Sequence, residues 1–240
     1  MPAIPLVIEC GSASETGHRE RNEDYCEAIA PKTAAESRRG FVAVVADGIG
    51  GAPGGREAAE TAVRTFVRRY YAAPHDLSLA AAARGAVVQA NAEILTKALE
   101  TPGLEGMGTT LSALVLHDEE AHTVHVGDSR IYRLRGGELA PLTQDHNLGE
   151  QGMPHFLTRS LGTRETVGPD CGMERAAAGD RYLLCTDGVT VALGDDEIAK
   201  ILRRKGDAGR AAKAVVAAAL AAGTSDNATA VVVDVARAEP

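Results

Sequence analysis

The chain has 240 residues, 45% of them hydrophobic and 24% charged, a balance ordinary for a globular protein with one large domain or two small ones. A net charge of −8 disfavours nucleic acid as a partner, and none is expected, because phosphate-backbone binding needs clustered Lys and Arg. No apolar run approaches the ~18 residues of a membrane span, and the N-terminus lacks the basic-then-apolar order of an export signal, so a cytoplasmic protein without membrane contact is expected.

Short strand-like runs open the chain at 4–9, 25–30 and 41–46. Two long Ala-rich helices follow at 56–71 and 77–100, separated at Pro74, which cannot continue a helix. Strands return at 110–116, 123–126, 129–134 and 138–141, with Gly136-Gly137 as a tight hairpin turn. A loop-rich stretch over 143–168 precedes strands at 171–176 and 180–186. A second helical pair spans 195–204 and 208–222, broken at Gly206, and a last strand runs over 228–235.

Strands in groups with helices in pairs predict an α+β fold rather than alternating βαβ units. The expected architecture is a four-layer αββα sandwich: two antiparallel sheets face to face, each covered by a pair of antiparallel helices. Without a repeat or a Pro/Gly/Ser-rich linker, residues 1–240 read as a single domain, expected to be monomeric.

The four cysteines, Cys10, Cys26, Cys171 and Cys185, stand far apart with no CxxC pair, which argues against zinc, redox or disulfide motifs. They are expected to be small buried hydrophobes in a reducing compartment. The basic clusters Arg68/Arg69 and Arg203/Arg204/Lys205 read as solvated surface, as does Arg21 beside Arg19.

The acidic residues at strand ends carry more information. Asp47 and Asp187 each follow an apolar run and precede a glycine; Asp128 in "VHVGDSR" follows another run. Glu23-Asp24 in "RNEDYC" and Asp226 in "SDNATAVVV" come just before runs. An Asp-Gly alone is a turn, and "MGTT" at 107–110 alone is a set of small residues at a strand start. Together, these ends can share one sheet edge, because antiparallel neighbours start where the other stops. Two carboxylates ~4 Å apart repel by roughly 4 kcal/mol at an effective dielectric near 20, so such a cluster demands cations. Oxygen donors without clustered His or Cys select hard ions such as Mg²⁺, Mn²⁺ or Ca²⁺. Gly48 is expected to permit a sharp turn and to let its own carbonyl reach a metal. "GIGGAPGG" matches neither common nucleotide-binding glycine pattern.

The ordered set "GHRERNED", "VVADGIGG", "GMGTTLSALVL", "VGDSRIYRL", "LTQDHNL", "LTRSLG", "LLCTDGV" and "SDNATAVVV" resembles the metal-dependent serine/threonine protein phosphatases of type 2C (PPM), over nearly the whole chain. The resemblance implies a sandwich fold and two Mn²⁺ or Mg²⁺ ions, with a third, weaker one. It implies that Asp47 bridges two metals with the Gly48 carbonyl on one of them, and that Asp187 and Asp226 hold the first. Glu23 and Asp24 serve the second, directly or through water, and Asp128 joins the second Asp-Gly aspartate at the third. Arg19 is implied as the phosphate-binding arginine, its planar fork suited to a phosphomonoester. The implied reaction is in-line attack of a metal-bridging water on phosphoserine or phosphothreonine, without a phosphoenzyme, so Cys185 and Ser129 are not nucleophiles.

The pattern departs in two places. The histidine that serves as general acid in animal members, or its bacterial counterpart just after the glycines, is replaced by Ile49 and Ala52. His146, His155 or a bound water would have to supply the proton, and the family's "DH" pair favours a structural role for His146. The segment 148–156, "LGEQGMPHF", is shorter than the usual bacterial flap, which predicts a more open cleft and a substrate read partly by other surfaces. The resemblance is to stand-alone bacterial members, which implies a phosphatase opposing a Ser/Thr kinase of eukaryotic type; some such members serve secretion systems, type VI included. The alternative is a pseudophosphatase, a phosphoprotein-binding regulatory module. A non-catalytic Ca²⁺-binding domain lacks the loop it needs.

Overall fold

A computed structural model describes residues 6–50 and 54–237. The elements in chain order are β1 (Leu6–Glu15), β2 (Asp24–Ile29), α1 (Ala34–Ser37), β3 (Phe41–Asp47), α2 (Gly55–Tyr71), α3 (Leu79–Glu100), β4 (Leu111–His117), β5 (Glu120–Val126), β6 (Arg130–Arg135) and β7 (Glu138–Pro141). There follow β8 (Asn147–Leu148), a 3₁₀ turn, β9 (Met153–Leu157), β10 (Asp170–Arg175), β11 (Arg181–Cys185), α4 (Asp187–Thr190), α5 (Asp195–Leu202), α6 (Ala208–Ala221) and β12 (Ala228–Arg237).

Period-2 runs and 3.6-period runs sort themselves into layers. One sheet has the order β1-β12-β11-β6-β7 and the other β10-β5-β4-β3-β2, every pairing antiparallel. Alternate residues of each central strand face opposite ways. Ala43 and Val45 of β3 meet Leu184 of β11 and Val231 and Val233 of β12 between the sheets. Val42 and Val44 face outward onto Ala59, Phe66, Ala86 and Ile94 of α2 and α3. On the far side, Leu183 and Val232 pack on Ile198, Ala212 and Val215 of α5 and α6. Three apolar layers thus separate four structural ones, as expected from the sequence. Burying each large aliphatic or aromatic side chain contributes about 1.5–3 kcal/mol.

Helix α3 buries Ala82, Ala86, Ala90, Ile94 and Ala98, one row at fourfold spacing. Asn91, also buried, accepts from Gly162 N–H at 2.8 Å and donates to the Arg164 carbonyl at 2.9 Å, tying the segment before β10 to the helix. At the closed end of the β2–β3 pair, the Tyr71 hydroxyl lies 3.3 Å from the Ile29 carbonyl and 2.9 Å from that of Gly40, so one side chain of α2 holds both strands.

Several expectations need correction. β1 runs well past residue 9, to Glu15; its second half is polar because it is an edge strand with one exposed face. The 143–168 stretch contains the β8–β9 hairpin, with Asn147 paired to Leu157, rather than loop alone. The cysteines do not form a buried set: Cys185 is buried, Cys26 half-buried, and Cys10 and Cys171 exposed. Both exposed thiols lie on edge strands, where one face of the strand is open to water. Arg68, Arg69, Arg203, Arg204 and Lys205 are exposed as expected. Among the described residues no helix is long and apolar enough to cross a membrane.

Candidate metal and phosphate site

The register of β2 on β3 sets Asp24 directly opposite Asp47, so two carboxylates share one end of a strand pair. β12 and β11 end at the same pole of the facing sheet, where Asp187 follows Cys185 and Asp226 precedes Ala228. Asp128 stands between β5 and β6. Asp47, Asp128, Asp187 and Asp226 line one open cleft of ≈ 360 Å³ with Arg19, Ile49, Gly50, Thr110 and Leu157. An adjoining recess of ≈ 300 Å³ adds Glu20, Arg21, Glu23, Gly48 and Asn227. Among the described residues no three acidic, His or Cys side chains stand as a closed metal cage; the carboxylates ring a cleft rather than enclosing a point.

Their electrostatics are strained. Burial, reinforced by the charges of Asp187 and Asp226, pushes Asp24 up to about 7, against hydroxyl hydrogen bonds that lower it. Asp47 is raised well above the ordinary carboxylate range, first by desolvation and then by Asp24 and Asp187. Asp128 rises to about 7 through burial and the fields of Asp187 and Asp145. Glu23 is raised by burial, partly offset by Arg19. Asp24 is 1% exposed, and its Oδ1 has no hydrogen-bond partner. A buried, acceptor-only oxygen among like charges is what a hard cation would satisfy, so these residues fit divalent metal ions.

Residues outside the predicted set hold the acids in place. Thr186 Oγ1 donates to Asp24 Oδ2 at 2.9 Å and accepts from Thr229 N–H at 3.0 Å, locking one sheet to the other. Thr110 Oγ1 accepts from Asp47 N–H at 2.9 Å and lies 2.7 Å from Ser129 Oγ, while Thr109 Oγ1 donates to the Asp47 carbonyl at 2.8 Å. Asn227 accepts from Glu23 N–H at 2.8 Å and donates to the Thr16 and Arg21 carbonyls. The hydroxyls of "MGTT" are therefore braces. Their sequence signal is polar β-formers beside each acidic strand end, which composition alone does not separate from ordinary strand residues.

Gly48 is needed for a reason other than the expected turn. It lies outside the left-handed region, but a Cβ there would stand 2.3 Å from the Gly55 carbonyl at the start of α2. The Glu23 carboxylate also abuts Gly55, near the positive end of that helix. Gly188 is constrained likewise: its Cβ would meet the Asn227 carbonyl oxygen at 1.9 Å.

Arg19 donates from Nη2 to Asp226 Oδ2 at 2.7 Å and remains 48% exposed, at the mouth of the cleft. His146 is buried. It accepts at Nδ1 from Gly127 N–H at 3.1 Å, and its Nε2 lies 3.0 Å from Asp170 Oδ2 and 3.2 Å from Arg159 Nη1. Its own N–H donates to the Gly127 carbonyl at 2.7 Å, clamping the peptide that precedes Asp128. Ile49 lines the cleft; Ala52 lies outside the described residues, and so does the side chain of His155. Cys185 is fully buried with its thiol pushed up to about 12, and Ser129 is fully buried.

The architecture is thus a two-sheet sandwich between helical pairs, with carboxylate oxygens and an arginine at one pole. The chain belongs to the protein phosphatase 2C family, whose model matches residues 13–223. It is 33% identical over 98% of its length to the serine/threonine protein phosphatase PstP of Mycobacterium tuberculosis, and spans about half, 46%, of that relative. The solved catalytic domain of PstP with two manganese ions superposes with a TM-score of 0.82 at 33% identity, covering 96% of this chain and 99% of that one. PppA, a key regulatory component of the type VI secretion system in Pseudomonas aeruginosa, superposes with a TM-score of 0.79 at 30% identity, over 95% and 97%.

Proposed function

We propose that this protein is a Mn²⁺- or Mg²⁺-dependent phosphatase of phosphoserine and phosphothreonine in proteins, opposing a eukaryotic-type Ser/Thr kinase. The observation that carries this reading is Arg19 at the mouth of a cleft walled by Asp47, Asp128, Asp187 and Asp226. In this reading Asp47, the Gly48 carbonyl, Asp187 and Asp226 would hold a first ion, and Asp47 with Glu23 and Asp24 would serve a second. Asp128 with Asp187 offers the third, weaker position. Bound divalent ions supply Lewis-acid activation of water and neutralise phosphoryl charge.

The chain's own groups do the rest. Arg19, with donors beyond the one held by Asp226, presents its fork to the phosphoryl oxygens. Asp24 and Asp47 surrender the protons that burial favours when a cation arrives, so loading strengthens as pH rises. Thr186 and Thr110 keep both carboxylates from turning away. Ile49 has no proton to give the leaving group, and both ring nitrogens of His146 are engaged, Nδ1 by Gly127 N–H and Nε2 by Asp170 and Arg159. Buried Cys185 and Ser129 are unsuited to attack phosphorus, consistent with direct hydrolysis.

The missing histidine at position 49 favours a second reading, a phosphoprotein-binding pseudophosphatase. Hydrolysis of p-nitrophenyl phosphate that requires Mn²⁺ and is lost in Asp47→Asn and Asp226→Asn supports the enzyme. Folded wild type that stays inactive in millimolar Mn²⁺ overturns it. Likeness to PppA suggests a secretion-system setting, tested by whether deleting the gene changes phosphorylation of that system's components.

A further inference from the structure

The pole opposite the carboxylates has a cleft of its own, ≈ 440 Å³, bordered by the start of β11, the end of β12, the β6–β7 turn and the residues after α5. The two aspartates there are already neutralised. Asp180, buried, takes a bidentate pair from Arg135 at 2.6 Å and 2.6 Å. Asp234 takes one from Arg181 at 2.5 Å and 2.7 Å. Asp207, just beyond, caps α6 through Arg210 N–H and pairs with the Arg210 side chain. Arg203, Arg204 and Lys205 remain exposed, and among the described residues none has a carboxylate partner.

Basic residues after a helix often serve its C-terminal carbonyls. Here that work is done elsewhere: Arg181 Nη1 donates to the Leu202 carbonyl at 2.8 Å and Nη2 to that of Gly206 at 2.8 Å. Arg203 Nε donates across the cleft to the Gly137 carbonyl at 2.7 Å, leaving both of its terminal nitrogens to solvent. Three cations without carboxylate partners, of which only Arg203 has a side-chain hydrogen bond among the described residues, form a local positive field on a body of net charge −8.

We infer that this cleft docks an acidic stretch of the protein substrate, a run of Glu, Asp or phosphorylated side chains remote from the reacting phosphate. The substrate assignment rests on the phosphatase reading; the docking itself does not. The remaining negative charge of the molecule disfavours an extended polyanion or an anionic membrane, whereas a short acidic segment contacts only the cleft. Asp226, two residues before β12, and Val235, near that strand's far end, are nine residues apart; at ~3.3 Å per residue that is at most about 30 Å. A substrate spanning both poles therefore carries its acidic run about ten extended residues from the phosphorylated one.

The test uses the full chain and a fluorescein-labelled hexaglutamate peptide, read by fluorescence anisotropy. Wild type is expected to bind it, with affinity falling as salt is added. Arg204→Ser/Lys205→Ser should weaken binding about tenfold, with melting temperature and p-nitrophenyl phosphate hydrolysis unchanged. The same variant should raise KM, and leave kcat, for a phosphoserine peptide bearing a distal glutamate tail, and leave the tail-less peptide untouched. Equal hexaglutamate binding by variant and wild type overturns the inference. So does retention on phosphatidylserine vesicles without peptide binding, which would make the patch a membrane contact. Inactivity of wild type with intact, Arg204/Lys205-dependent peptide binding would overturn the phosphatase reading and leave the docking site standing.

Discussion

Asp24 and Asp180 are both buried aspartates at strand ends, one at each pole, yet their circumstances are opposite. Asp180 has a guanidinium fork and the Ala177 N–H on its oxygens. Asp24 has a threonine hydroxyl on one oxygen, nothing on the other, and like-charged neighbours. Carboxylates with their counter-charge built in hold the fold together. Carboxylates denied it carry a cost that an incoming cation would relieve.

That contrast is exposed to breakage. The largest effect is expected at Asp47: Asp47→Asn should lower Mn²⁺-dependent kcat/KM by roughly a thousandfold or more, without loss of metal-free melting temperature, because a repelling charge is removed. Arg135→Ala should do the reverse, costing about 3 kcal/mol by thermal unfolding while leaving p-nitrophenyl phosphate turnover intact. That is the low end for breaking a buried pair, since Arg135 is 40% exposed. If both substitutions behave alike, the poles do not differ in kind.

The pH dependence sharpens the same point. Asp24 rises from 3.8 to about 7 on folding, so the stability of its neutral form is fully present below about 4 and lost as pH climbs through about 7. Without metal, Asp24→Asn should therefore gain on wild type by up to a few kcal/mol between pH 4 and 8, followed by chemical denaturation at each pH. Saturating Mn²⁺ should invert that order. A difference that stays flat across this range would mean Asp24 was never short of positive charge. The smallest effect is expected from Thr186→Val: about 1 kcal/mol of stability and about tenfold weaker Mn²⁺ binding by calorimetry.

Much of this arrangement was legible beforehand because it follows from periodicity. The apolar runs over 41–46 and 228–235 read as strands, and acids at the ends of such runs can share one sheet edge. What escaped detection depends on partners distant in the chain. The hydroxyl of Thr186 matters because Asp24, 162 residues away, lies against it. Gly48 matters because Gly55 crosses over it. Cys10 and Cys171 are exposed because their strands fall at sheet edges, a fact of strand order that local hydrophobicity does not encode. The four-residue helix α4 is set by the turn after Asp187 and is too short to leave a periodic trace.

The Tyr71 hydroxyl grips the β2–β3 ladder at the end remote from Asp24 and Asp47. A slip of one residue in that ladder would swing Asp24 to the opposite face and separate it from Asp47. An aromatic side chain at the far end of a six-rung ladder is thus a gauge for the geometry at the other end. Insertions before Arg39, whose guanidinium is bonded to the Ala73, Pro74 and Leu77 carbonyls, should be tolerated while the Tyr71 grip survives and ruinous once it is lost.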